Sequence, residues 1–220
     1  MRIQSGIPGL DELIEGGFEE GSITLISGKT GTCKSIFSSQ FIYNGARRCK
    51  ENGLYITTGE TVGNIKKQSE KFGWDFSLLE KKGVVKFVEL EPFDTETLMD
   101  RVMKSVESVG AKRIVLDSVS MLELYMQDPF KVRKVLYKIL QRLRDMNKVV
   151  LVVSEVPEES RGLSRTGVVE FMVDGVIVLQ YMGMMKYSRS LVIRKMRMTR
   201  HSTDIHPFEI GPEGIEVHSI

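Results

Sequence analysis

One short stretch holds the residue types and spacing that point most directly to chemistry. In ITLISGKTGTCKS, Ile23 to Ser35, an apolar strand-like run falls into a loop holding Gly28, Thr30, Gly31 and Thr32. Lys34 and Ser35 follow, and a helix-like stretch continues through Ile36. The spacing is that of a phosphate-binding loop, G-x-x-x-x-G-K-[ST], except that Cys33 stands where the second glycine belongs. In such a loop backbone N–H groups converge on phosphate oxygens, the lysine reaches the β- and γ-phosphates, and the serine hydroxyl meets Mg²⁺. Only the backbone of residue 33 is needed, so a small thiol costs at most room, or a backbone angle that glycine tolerates better. A thiol at a helix N-terminus beside Lys34 is also expected to ionise readily, which would make a redox switch of the pocket available.

Three further groups fit around that loop. In RIVLDSVS an apolar strand ends in Asp117, where a second Mg²⁺-binding acid belongs beside a phosphate loop. Glu60, in LYITTGET at the end of another strand, is placed to orient or deprotonate an attacking water. The same acid would also suit a solvated loop. The segment KYSRSLVIRKMRMTR, residues 186–200, holds Lys186, Arg189, Arg194, Lys195, Arg197 and Arg200 with no acid among them. Side chains two apart share a strand face, so Lys195 and Arg197 are expected to project together as phosphate fingers. The bland alternative is a basic edge that deters sheet pairing. Two loops, Met121–Asp128 and Glu158–Gly167, are expected near the nucleotide, the second carrying Arg161 and Arg165.

These residues need a scaffold, and the alternation of elements supplies one. Strands are expected at Ile23–Ser27, Leu54–Thr58, Val84–Leu90, Arg113–Asp117 and Val149–Ser154, and helices at Lys34–Cys49, Gly63–Phe72, Thr95–Val109 and Pro129–Met146. That rhythm predicts an α/β fold with a mostly parallel sheet covered on both faces. Beyond Ser160 the rhythm changes. Phe171–Tyr181 and Leu191–Met198 read as a β-hairpin turning at Gly183–Tyr187, and the segments around GPEG as a closing hairpin.

The totals bound the rest. A chain of 220 residues suits one domain, and 41% hydrophobic with 27% charged residues is ordinary for a globular protein. Net charge is +2, so no overall field advertises nucleic acid or an anionic membrane. Two cysteines, Cys33 and Cys49, are too few and too separated for a redox pair or a structural metal site. No leader-like segment or membrane-length apolar run is evident, and a cytoplasmic location is expected.

Taken together, these segments resemble the RecA-like ATPases, and most closely the KaiC-like family. SGIPGLDELIEGGFEEGSITLISG (Ser5–Gly28) is similar to that family's approach to the phosphate loop, YITTGET to its second strand and VLDSVSML to its Mg²⁺-side strand. FMVDGVIVLQY and RKMRMTRHSTDIHPFEIGPEGIEV resemble its C-terminal half, including the family's K-x-R-x-T-x-H string at Lys195, Arg197, Thr199 and His201. The resemblance spans residues 3–217. It implies a RecA-like core with C-terminal β-hairpins that binds ATP and Mg²⁺. ATP would lie between the subunits of a homo-oligomeric, hexameric ring, and Lys195 and Arg197 would reach the neighbour's γ-phosphate. Nucleotide contacts then fall to Gly28, Thr30, Gly31, Thr32, Cys33, Lys34, Ser35, Ile36 and Asp117, metal contacts to Ser35 and Asp117, and catalysis to Glu60, Lys195 and Arg197.

Three departures shape the expected function. Cys33 replaces a glycine. Of two adjacent glutamates usual after the second strand, the first is Gly59 and only Glu60 remains. Glu170 and Phe171 stand where the circadian protein's second repeat carries its phosphorylated pair, so a clock-type autokinase is not expected. The leading reading is an ATP-binding protein with slow hydrolysis, nucleotide-dependent ring assembly and a regulatory role toward a protein partner. The alternatives are a DNA-binding recombination accessory protein and a non-catalytic scaffold that senses ATP.

Overall fold

The structure, a computed structural model, describes residues 1–90, 95–182 and 188–219. Its strands are β1 (Arg2–Ile3), β2 (Phe18–Glu19), β3 (Ile23–Gly28), β4 (Gly53–Thr57), β5 (Val85–Glu89), β6 (Arg113–Asp117), β7 (Val149–Glu155), β8 (Gly175–Tyr181), β9 (Arg189–Met196), β10 (Ile205–Gly211) and β11 (Gly214–Val217). Its helices are α1 (Lys34–Arg48), α2 (Val62–Glu70), α3 (Phe76–Lys81), α4 (Thr95–Val109), α5 (Ser120–Met126) and α6 (Pro129–Asp145).

β1 and β2 form a small antiparallel ribbon, and the other nine strands one sheet in the order β11-β10-β9-β8-β3-β7-β6-β4-β5. The strands from β8 to β5 in that order are all parallel, while β9, β10 and β11 continue antiparallel. All six residues of β3 are buried, as a central parallel strand covered on both faces requires. Alternate residues serve the two faces. Ile26, Tyr55, Val115, Leu151 and Val153 pack toward Phe37 and Phe41 of α1, whereas Leu25, Ile56, Leu116 and Val152 pack toward Val102 of α4 and Leu136 of α6. Because β3 lies between β7 and β8 while its own helix leads away to β4, its C-terminal end opens at a switch point of the sheet, where ligands of such folds sit.

The expected α/β architecture is therefore present, with differences of physical origin. The segment Met121–Asp128, expected as a loop, is mostly helix α5, which buries Leu122 and Glu123 and ends on Gln127 with φ 50°. Asp128 then caps α6, accepting from the backbone N–H of Phe130 at 2.9 Å. The strand expected from Phe171 begins only at Gly175, because residues 169–171 form a 3₁₀ turn. The turn expected at Gly183–Tyr187, and Lys186 with it, lies outside the described residues.

A buried arginine joins the two elements that carry the chemistry. Arg113, fully buried at the start of β6, lies 2.6 Å from Glu51 Oε2 and donates through Nη1 to the Phe41 carbonyl of α1 at 3.1 Å. Its guanidinium stacks 4.8 Å from the Phe41 ring centroid. Gly45 makes room for it, since a Cβ there would stand 2.3 Å from Arg113 Cδ.

Candidate functional site

The loop between β3 and α1 is shaped by close approaches. A Cβ on Gly28 would meet the Leu179 carbonyl oxygen at 2.5 Å, and Gly31 adopts φ 76°. Tyr181 donates its hydroxyl to the Gly31 carbonyl at 2.9 Å, and Thr32 Oγ1 donates to the Lys29 carbonyl at 2.9 Å. Lys34 is buried, with Nζ donating to the same carbonyl at 2.8 Å, so the ammonium spans the loop's mouth. Burial lowers its pKa, and the nearby carboxylates of Glu155 and Asp117 push the other way. Thr30 is exposed at the tip, while Ser35 and Ile36 open the helix partly buried.

Cys33 turns out to differ from a glycine in backbone rather than bulk. It sits at φ 73°. That is the left-handed region, which glycine occupies without strain. The expected thiolate is corrected here: burial raises the Cys33 pKa, outweighing the opposing charges of Arg189 and Lys34.

Asp117 closes the site from β6. It is half-buried, accepts the Tyr55 hydroxyl at 2.5 Å and has the Ser35 hydroxyl close by. Burial pushes its pKa up, against Tyr55, Ser35 and Lys34, in that order. A hydroxyl and a carboxylate in contact are hard oxygen donors, suited to Mg²⁺ that keeps its waters and shares substrate phosphates. Among the described residues no group of three or more His, Cys, Asp or Glu could hold a metal unaided. The fit to a metal arriving with a nucleotide rests on the two oxygen donors of Ser35 and Asp117, which leave the remaining positions to water and phosphate.

Glu60 does not continue a strand. β4 ends at Thr57, whose Oγ1 donates to the Glu60 carbonyl at 2.7 Å and turns the chain. The Glu60 carboxylate accepts from Gln68 of α2, and burial raises its pKa first, with the Asp117 charge adding to the shift. Its direction is thus set by a turn and a helix contact, not by strand alternation. Gly59 is exposed, and a Cβ there would have only Met121 Cγ near, at 3.5 Å.

Lys195 and Arg197 do not share a strand face. β9 ends at Met196, with an irregularity in its pairing to β8 beside Lys195. Lys195 Nζ donates to the carbonyls of Val173 at 2.6 Å and Glu170 at 3.1 Å. Arg197 lies 3.4 Å from Asp174, which also pairs with Arg144 at 2.9 Å and accepts the Ile23 N–H at 3.0 Å. Ile23 begins β3 and Gly28 ends it. Both cations therefore stand about one strand length from their own phosphate loop, and the structure does not bring them to it.

Two features escaped the sequence reading. Glu155 ends β7 directly beside Gly28 in the register, and its charge acts on both Lys34 and Asp117. It ends its strand much as Asp117 does, and that signal was legible. The other is a cavity of about 330 Å³ walled by Tyr43, Arg47, Arg48, Phe72, Trp74 and Glu213, in which Tyr43 stacks on Trp74 at 5.8 Å. A narrower recess that also touches Phe72 and Trp74 leads back to Ser35. Its walls come from three distant segments, so nothing local announces it. Beside the loop formed by residues 156–163 a larger opening, about 800 Å³, is lined by Lys29, Arg161 and Arg194 among others. Arg165 is exposed further along that segment.

Comparison with known proteins agrees with this geometry. The family model described as "ATPase: KaiC" matches residues 3–220. A UPF0273 protein of Thermotoga maritima is 37% identical, with 99% of this chain and 96% of that protein covered. A UPF0273 protein of Methanopyrus kandleri is 35% identical, with coverage of 98% and 91%. The circadian clock oscillator protein KaiC of Synechococcus elongatus is 31% identical over 98% of this chain, which spans only 44% of that protein. A crystal structure of a KaiC-like protein from Pyrococcus horikoshii superposes with a TM-score of 0.91 at 41% identity, covering 100% of this chain and 99% of that one. With a phosphate loop, a facing acid and a family match along nearly its whole length, the chain belongs to the KaiC-like ATPase family.

Proposed function

We propose that this chain binds Mg²⁺–ATP at the β3–α1 loop, hydrolyses it slowly, and uses nucleotide binding to assemble rings that regulate a partner. The convergence of Lys34, Ser35 and Asp117 on one loop carries the reading. Lys34 and the loop's N–H groups take the phosphates, Ser35 and Asp117 take the metal, and the aromatic cavity beyond Ser35 is the place for the base. Bound Mg²⁺ supplies charge neutralisation of the phosphates. Without a carboxylate at residue 59, turnover is slow, which suits a regulator better than a motor.

The ring reading rests on the distance between the loop and its expected fingers. Lys195 and Arg197 lie too far from their own Lys34 to touch the same phosphate, so they act only if a second chain presents them. Lys34→Ala is expected to weaken ATP binding at least tenfold, since each charge-assisted contact is worth about 1.5–3 kcal/mol. Arg197→Ala should bind ATP normally yet hydrolyse it poorly. Mixing the two variants should recover activity, because some interfaces then hold both intact halves. Calorimetry giving Lys34→Ala an unchanged affinity would remove the nucleotide assignment. Absence of recovery despite co-assembly would place Arg197 within its own subunit's chemistry.

One observation favours the second reading, a single-stranded DNA-binding protein. The outer face of α6 presents Lys131, Arg133, Lys134, Lys138 and Arg142 with no acid between Phe130 and Arg142. Phe130 (76% exposed), Tyr137 (57%) and Tyr125 (49%) are interleaved with or adjoin them. Cations beside exposed aromatics are what single-strand binding requires, and the near-zero net charge hides them. On this reading ATP turnover rises several-fold with an oligothymidylate at low salt; an unchanged rate with no detectable binding ends it.

A further inference from the structure

Tyr55 is completely buried in β4, and a phenol hydroxyl inside a core has to find a partner. Its register neighbour on β6 is Val115, so Asp117 lies two residues along on the same face, within diagonal reach of a long side chain. Tyr55 closes that distance, with its Oη 2.5 Å from Asp117 Oδ2. The ring is held from the other side by Phe87 of β5, stacked at 5.3 Å with an interplanar angle of 20°.

Helix α1 completes a network. The Ser35 hydroxyl lies close to Asp117, and that of Ser39, one turn later on the same helix face, lies close to the Tyr55 hydroxyl. An ionised carboxylate only accepts, so the phenol proton goes to Asp117, which leaves the phenol oxygen open to accept from Ser39. Two hydroxyls four residues apart therefore address one carboxylate, the first directly and the second through Tyr55.

We propose that Tyr55 is a positioning residue for the metal: its hydroxyl occupies one oxygen of Asp117 and fixes the plane of the carboxylate that faces the Mg²⁺ of a bound nucleotide. This rests on the phosphate-loop reading above. The hydroxyl adds nothing to the sheet or to the stack on Phe87 that phenylalanine would not supply. Its contribution is orientation, and partners that orient metal ligands typically alter metal affinity by about 10–100-fold.

The test is Tyr55→Phe, with Mg²⁺ titrated into the ATP-saturated protein and ATP affinity measured separately in EDTA. Mg²⁺ affinity is expected to fall about tenfold while metal-free ATP affinity stays within about twofold. Mn²⁺ followed by electron paramagnetic resonance should report the same loss as a larger sharp signal from unbound Mn²⁺. Ser39→Ala should shift Mg²⁺ affinity in the same direction by a smaller factor, and it decides the matter if Tyr55→Phe does not fold. Stability is not the readout, because an orphaned Asp117 oxygen also burdens the fold. Unchanged or tighter Mg²⁺ binding overturns the proposal, and equal losses with and without metal assign Tyr55 to packing. If the unaltered protein binds ATP with no Mg²⁺ dependence, the metal reading of Ser35 and Asp117 fails, and this proposal fails with it.

Discussion

Replacing Glu51 with alanine is expected to destabilise the protein by about 3–5 kcal/mol, the usual cost of removing one partner of a buried ion pair. Arg113 is the reason. Its side chain is fully buried, Glu51 is the carboxylate that meets it, and Lys112 lies 3.1 Å from the other oxygen of Glu51. Without that carboxylate the guanidinium keeps, among the described residues, the Phe41 carbonyl and ring and the more distant charge of Asp11, in a place water does not reach. For a chain of this size the loss corresponds to a fall of roughly 6–20 °C in melting temperature. The effect should extend to the site, since Arg113 begins the strand that ends in Asp117 and braces the helix that begins with Lys34. The double replacement Arg113→Leu with Glu51→Leu should recover much of the loss, because no charge is left without a partner. Thermal and urea denaturation of both variants make the comparison. A fall below about 1 kcal/mol for Glu51→Ala would mean that the pair is wetter than its geometry indicates.

Much of the fold was legible because its signals are local. The uncharged run Ile23–Gly28, the strand ending in Asp117 and the Asp128-Pro129 start of α6 each announce themselves within a few residues. Helix α5 did not, since seven residues with few buried apolar positions show too little periodicity to separate from a loop. The loop's lysine, serine and facing acid were readable from spacing. The positions of Lys195 and Arg197 were not, because the end of β9 and the irregular pairing beside Lys195 are set by its partner strand. Tyr55 reads in sequence as one more core aromatic of a strand. Only the β4–β6 register reveals that its hydroxyl faces Asp117. The Cys33 thiol misled for a similar reason: the helix N-terminus and Lys34 are visible in sequence, but the burial that outweighs them is not.

Gly59→Glu is expected to raise ATP turnover by roughly 10²–10⁴-fold, the range associated with a positioned general base. The loop's binding groups are backbone N–H donors and Lys34, and none of them depends on residue 59. What is missing is a carboxylate at the end of β4 beside Asp117. The turn there is already fixed, with Thr58 Oγ1 donating to the Ser118 carbonyl at 2.6 Å and accepting the Ser118 N–H at 3.2 Å. A Cβ at 59 meets only Met121 Cγ, at an ordinary contact distance of 3.5 Å, and the backbone angle is not unusual, so a glutamate can be added without strain. Glu60 is a poor substitute because Gln68 engages its carboxylate. Glu155 is the rival base, being close enough for its charge to act on Lys34 and Asp117. Two controls separate these possibilities. Glu155→Gln should leave the raised rate of Gly59→Glu largely intact, whereas loss of that rate would make Glu155 the base. Cys33→Gly should stabilise the protein by about 1 kcal/mol through relief of the left-handed backbone, with little change in turnover. Brisk hydrolysis from Cys33→Gly alone would instead place the defect in the phosphate loop.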